Sequence, residues 1–222
     1  MSQAFPRALR IFLLLSAGAL AASLAVPLVD ALAAPDVPAL WWTARAFGLL
    51  AFVALWLSVL FGVFTSSKGA GGLLDKATVV QLHGRWAIAA QIATALHVLV
   101  IVVDPSSGVV AHAAIVPFTS ATLTGPTALG TLALWGLALL LVTTALSRRL
   151  SRVAWRAVHA SAFGTLLLAL VHGITAGSDS GALPVRGLYL VTTGLLVAAL
   201  VQRLLLARRL ASSKPSLEGA PR

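Results

Sequence analysis

The sequence predicts an all-α fold, an integral membrane bundle of six transmembrane helices with both termini cytoplasmic. Three observations predict it. Hydrophobic residues make up 59% of the 222 and charged residues only 10%, whereas roughly a quarter of a soluble domain is charged. Mean hydropathy is +0.97. Six apolar runs each approach the ~20 residues that a helix needs to cross the hydrocarbon core.

The runs are Ile11 to Val29, Thr43 to Phe64, Leu82 to Val103, Ala128 to Leu146, Ala157 to Ala176 and Gly187 to Leu206. Breakers and charges separate them at Pro35 to Pro38, Ser66 to Lys76, Asp104 to Pro126, Ser147 to Arg156 and Gly177 to Arg186. Arg7 and Arg10 before the first run, and Ala31-Leu32-Ala33 after it, resemble a signal peptide. Its apolar stretch is longer than a signal core, so an uncleaved first helix is expected. Residues 1–209 then form one transmembrane domain, and 210–222, rich in Ser, Lys, Pro, Glu and Gly, a disordered cytoplasmic tail.

Lys and Arg collect on cytoplasmic flanks, which orients the bundle. With the N-terminus inside, fourteen of the sixteen fall on inner flanks, leaving Arg45 and Arg186 outside. Asp30, Asp36, Asp104 and Asp179 fall on the outer side. The formal charge of +10 thus has a membrane explanation, and nucleic acid is not expected as a partner. With no cysteine, the chain forms no disulfide, thiolate zinc site, iron-sulfur cluster or covalently attached c-type haem. The apolar runs hold no Asp or Glu, so the carboxylate relays of proton-coupled pumps are absent from them.

Ionisable residues inside a membrane are costly, and each is a functional candidate. Four of the five histidines lie in two runs: His83 and His97 in the third, His159 and His172 in the fifth. Spacings of 14 and 13 residues put the members of each helix ~20 Å apart along its axis. Both runs are odd-numbered and cross in the same direction, so His83 lies level with His159 near the cytoplasm and His97 level with His172 near the outside. Two imidazoles from facing helices are what a six-coordinate b-type haem requires. Zinc or copper fits less well, because no thiolate or carboxylate completes the shell. A plainer reading has the histidines packed in the core, bonded to carbonyls or to hydroxyls such as Thr94, Ser161 and Thr165.

The azimuths do not match on straight helices. At 100° per residue His83 and His97 come within ~40° of one face, while His159 and His172 stand ~140° apart. The fifth helix is therefore expected to be twisted, tilted or distorted, near Gly164 or Gly173, unless the haem planes differ in azimuth. Haem propionates want guanidinium partners: Arg45 for the outer haem, Arg85 and Arg156 for the inner. His112, in the outer loop, has no partner at helical spacing and reads as interfacial or solvated. Trp41, Trp42, Trp86, Trp155 and Tyr189 near run ends read as an aromatic belt. Gly69-Ala70-Gly71-Gly72 lacks the flanking signature of a phosphate loop and reads as a flexible inner loop.

These residues resemble the ferric-reductase-like transmembrane domain, the haem-binding core of ferric reductases, NADPH oxidases and the membrane subunit of the periplasmic methionine sulfoxide reductase system. The resemblance runs from about Trp41 to Leu206. It is carried by the two histidine pairs and by Ala44-Arg45-Ala46-Phe47-Gly48-Leu49, Val116-Pro117-Phe118, Trp155-Arg156-Ala157-Val158-His159 and His172-Gly173-Ile174-Thr175-Ala176-Gly177-Ser178-Asp179. It implies two b haems, held by His83 with His159 and by His97 with His172, passing electrons outward across the plasma membrane as the membrane subunit of an oxidoreductase. No flavin or nicotinamide domain is expected after the last run. A separate flavoprotein or a quinol is then the expected donor, with ferric chelate, oxygen or an extracytoplasmic flavoprotein as acceptor. The alternatives are a quinol-oxidising cytochrome subunit, with a quinone pocket beside one haem, and a haem-free permease or assembly protein.

Overall fold

The computed structural model describes residues 39–66 and 74–212. The first apolar run, the Gly69 to Gly72 stretch and residues 213–222 lie outside the described residues. Among the described residues the chain is helical, with no strand: α1 (Ala39–Ser66), α2 (Lys76–Val103), a 3-10 turn (Pro105–Ser107), α3 (Ala111–Ile115), α4 (Thr124–Ala145), α5 (Arg152–His159), α6 (Ala162–Ala176) and α7 (Leu183–Ser212). Among the described residues five spans are long and apolar enough to cross a membrane, with α5 and α6 together making one. Helix α7 runs on to Ser212, past the expected end of the bundle at residue 209.

Helix α1 is the hub. Phe52, Val53, Ala54, Leu55, Trp56, Val59, Leu60 and Val63 are all buried on it, and it packs on α2, α6 and α7 while α4 packs on α6. The other helices turn apolar side chains outward: Ile88 is 63% exposed and Leu190 74%. Such a surface suits lipid, where helices associate through close packing and interhelical hydrogen bonds instead of apolar burial. Two such bonds tie the bundle, Trp56 Nε1 to Thr192 O at 2.7 Å and Gln91 Nε2 to Leu137 O at 2.8 Å, each worth about 0.6–2 kcal/mol in a membrane. Some buried hydroxyls bond back along the chain, Thr192 Oγ1 on Leu188 O at 2.7 Å and Thr165 Oγ1 on Ser161 O at 3.1 Å, while Ser58 Oγ reaches across to His83 O at 3.2 Å.

Polar caps set the helix ends. Asp75 opens α2, its carboxylate accepting from Thr78 N at 2.8 Å and Thr78 Oγ1 at 2.7 Å. Those bonds hold the Asp75 carboxyl below its usual range. Asp104 closes α2 and caps the 3-10 turn, accepting from Ser106 N at 2.9 Å. Ser151 Oγ accepts from Ala154 N at 3.2 Å to start α5. Between Asp104 and Pro126, where the sequence reads as loop, the chain builds the 3-10 turn and α3.

The span made of α5 and α6 breaks at Ala160–Ser161, between its two histidines and just ahead of Gly164. Ser161 N bonds to Val158 O at 2.9 Å and Phe163 N to Ala160 O at 3.3 Å, three-residue steps that wind the chain more tightly than an α-helix. Extra winding is what the 13-residue spacing demands if both histidines are to face α2. Gly173 stays within α6; its missing Cβ instead admits Tyr189 from α7, whose Oη would lie 2.6 Å from such an atom. Tyr189 is accordingly buried, edge-on to Phe52 at 5.2 Å. It belongs to the core and not to an aromatic belt.

Candidate functional site

The four span histidines form two pairs. The rings of His83 and His159 have centroids 5.9 Å apart and planes inclined by 76°; those of His97 and His172 are 6.3 Å apart at 74°. Helix α2 therefore runs parallel to α5 and α6. Two imidazoles on opposite sides of one metal, with metal–nitrogen bonds of about 2.0–2.1 Å, put their centroids about 6–6.5 Å apart. Both pairs stand near that separation.

Three of the rings share one kind of seat. His83 Nδ1 donates to Ser58 O at 2.8 Å, His97 Nδ1 to Ala44 O at 2.6 Å and His172 Nδ1 to Pro126 O at 2.8 Å. Four residues beyond each carbonyl stands a glycine: Gly62, Gly48 and Gly130. A Cβ there would lie 3.3 Å from His83 Cε1, 3.0 Å from His97 Cε1 and 2.7 Å from His172 Cε1. In a helix the carbonyl of residue i faces the amide of i+4, so glycine at i+4 lets an imidazole reach the carbonyl sideways. Gly48 and Gly62 are 14 residues apart, as are His83 and His97, which is the antiparallel register of α1 on α2.

That seat fixes the tautomer. A neutral imidazole with its proton on Nδ1 carries a lone pair on Nε2. His97 and His172 both donate through Nδ1, so neither Nε2 can donate to the other, and the pair lacks the proton that a direct bond would need. An electrophile between them satisfies both lone pairs. Metal-ligating histidines ordinarily spend their second nitrogen in this way. The plainer packed reading accounts for the Nδ1 bonds and leaves the Nε2 atoms without a role.

His159 differs. It is the last residue of α5, its Nδ1 is buried with no hydrogen-bond partner, and its ring stacks on Trp155 at 4.6 Å and 17°. Trp155 thus packs on a candidate ligand beyond any role at the membrane interface.

A cavity of about 320 Å³ surrounds the His97–His172 pair, with Arg45, Asp179, Thr131 and Tyr189 among its walls. This volume lies at the lower end of the ~300–1,000 Å³ typical of ligand pockets. Arg45 enters it from α1, paired with Asp179 and held over the Trp41 and Trp42 rings at 3.9 and 4.7 Å. This is the one ion pair among the described residues. Arg85 and Arg156 are exposed, and His112 is exposed on α3, outside the cavity wall.

No group of three or more His, Cys, Asp or Glu converges among the described residues. Each pair supplies two nitrogens, so a metal held there must bring its remaining donors with it. A haem does, through four equatorial nitrogens. The residues present fit that group in donor type and spacing, and three of the four rings fit it in tautomer.

Fold and site define a class: a helical bundle of membrane-spanning length carrying two histidine pairs, each with its rings edge-on. The chain belongs to a family described as a domain of unknown function (DUF8596), whose model matches residues 39–179. The match begins with α1 and ends at Asp179, enclosing all four paired histidines and Arg45. No curated protein and no solved structure matches the chain.

Proposed function

We propose that the chain is a transmembrane b-type diheme cytochrome of the ferric-reductase-like kind, the membrane subunit of an oxidoreductase in the plasma membrane. It has six spans and cytoplasmic termini, and carries electrons from a cytoplasmic flavoprotein or a quinol to an extracytoplasmic acceptor. The observation that carries this reading is the two histidine pairs at metal-spanning separation, with three Nδ1 atoms committed to backbone carbonyls. His83 with His159 would hold the inner haem and His97 with His172 the outer. A haem at each level supplies a one-electron couple, which the side chains of this protein do not provide.

The chain's own residues do the rest. The carbonyls of Ser58, Ala44 and Pro126 orient three rings and raise the basicity of their Nε2 atoms. Gly48, Gly62 and Gly130 clear the space for those rings. Arg45 places a positive charge at the outer cavity, suited to an anionic propionate, while Asp179 and the two tryptophans hold it there. Outward-facing Ile88, Leu167 and Leu190 seat the bundle in lipid and keep water from the levels between.

Proteoliposomes test the reading. With a membrane-impermeant reductant on one face and ferricyanide enclosed on the other, the wild-type chain is expected to reduce ferricyanide, and His97→Ala to abolish this. Ferricyanide reduction no faster than in protein-free vesicles, by protein carrying both haems, would overturn the transfer function.

A further inference from the structure

The two pairs are not equivalent, and the difference lies in His159. We infer that the inner site has an exchangeable axial position on the His159 side, open to a small neutral diatomic ligand, while the outer site is closed to it. This rests on the haem reading above.

Three observations carry it. First, His159 Nδ1 is buried without a partner, whereas the other three histidines are anchored. Loss of such an outer bond weakens a metal ligand by about 10–100-fold. Second, the glycine seat is missing: among the described residues His159 is not a nearest neighbour of any glycine, whereas His83, His97 and His172 are those of Gly62, Gly48 and Gly130. Third, His159 ends an eight-residue helix that buries no residue and adjoins the break at Ala160–Ser161. Swinging His159 aside disturbs little packing. His83, opposite, sits in mid-helix with its ring seated against Gly62 and stays in place.

The outer pair has no such weak member. His97 and His172 are both anchored and both wedged against glycine. What holds His159 is its stack on Trp155, so Trp155 is a positioning residue for that ligand.

The test is carbon monoxide binding to the dithionite-reduced full chain, with haem counted in the same sample. The expected result is two haems and one carbon monoxide per chain. His159→Ala should still bind one, because it opens a position that already exchanges; if that variant loses the inner haem, carbon monoxide binding should vanish with it. Trp155→Leu should keep both haems and bind carbon monoxide about 10-fold more tightly. Two haems with no carbon monoxide bound overturn the inference alone, as does a His159→Ala protein that binds two, or that binds one on a single remaining outer haem. Folded protein that takes up no haem overturns the reading beneath it.

Discussion

At the scale of single residues, the position of one proton separates a packed histidine from a ligand. Three imidazoles give their Nδ1 hydrogen to a carbonyl, and each reaches it over a glycine. Gly130→Ala puts a methyl group 2.7 Å from His172 Cε1. Outer haem occupancy is expected to fall by 10-fold or more, by the loss typical of a disturbed outer bond, with the inner haem retained. Gly62→Ala, at 3.3 Å from His83, should cost the inner haem much less. Haem counts and redox spectra of the two variants check this. Arg45 and Asp179 form a compensated pair, so their single substitutions should move the outer midpoint in opposite directions. Arg45→Leu leaves a lone carboxylate and lowers it; Asp179→Asn leaves a lone cation and raises it. Each shift should be on the order of tens of millivolts, and a redox titration in which both move alike would remove the pair from the site. The histidines were legible because a membrane span makes any ionisable residue conspicuous. The glycine seats were less so, although two glycines at the same 14-residue spacing as the histidines of the next helix carry the signal. The Arg45–Asp179 pair joins residues 134 positions apart, beyond what local patterning encodes.

At the scale of elements, close approach is set by glycine. A Cβ on Gly136 would collide with Thr165 Oγ1 across α4 and α6. Gly136→Ala is expected to destabilise the bundle by about 1–3 kcal/mol, and Thr165→Ala, which removes the colliding atom, should recover part of that loss. Thermal unfolding of the single and double variants in detergent measures the coupling; strictly additive losses would contradict the contact. The start of α2 gives a pH prediction. Hydrogen bonds from Thr78 depress the Asp75 carboxyl below its ordinary value of 3.8. A group with a lowered folded pKa stabilises fully above its unfolded value and loses that contribution as pH falls through the folded one. Hydrogen-exchange protection at Thr78 and Val79 should hold at neutral pH and fade below about pH 3.8, whereas in Asp75→Ala it should be weak throughout. The described spans were readable from apolar runs, but each starts four to six residues before its run, because polar and capping residues extend a helix beyond its apolar stretch. The break at Ala160–Ser161 was readable only as a mismatch: a 13-residue spacing that no straight helix reconciles with a 14-residue one. Its place is set by backbone hydrogen bonds that no residue type marks. Tyr189 shows the converse difficulty, because a tyrosine near a run end suits an interface and a core equally until Gly173 on the next helix is known to face it.

At the scale of the whole molecule, packing and function share one device. A bundle that cannot use apolar burial between its helices holds together through small residues and a few interhelical hydrogen bonds, and the same close approaches bring α1 carbonyls within reach of α2 histidines. Two levels on parallel helices, ~20 Å apart along the axis, give the bundle one site toward each face. The helical class followed from composition and the pairing from spacing. Which nitrogen of His83, His97 and His172 remains free followed only from the structure, and it favours the haem reading over packing. The central claim is that both histidine pairs hold b haem. The most direct measurement is a pyridine haemochrome count with a dithionite-reduced minus oxidised spectrum, on detergent-purified full chain expressed with ample haem. Two b haems per chain is the expected result; a well-folded chain with no haem would contradict it and return the four histidines to packing.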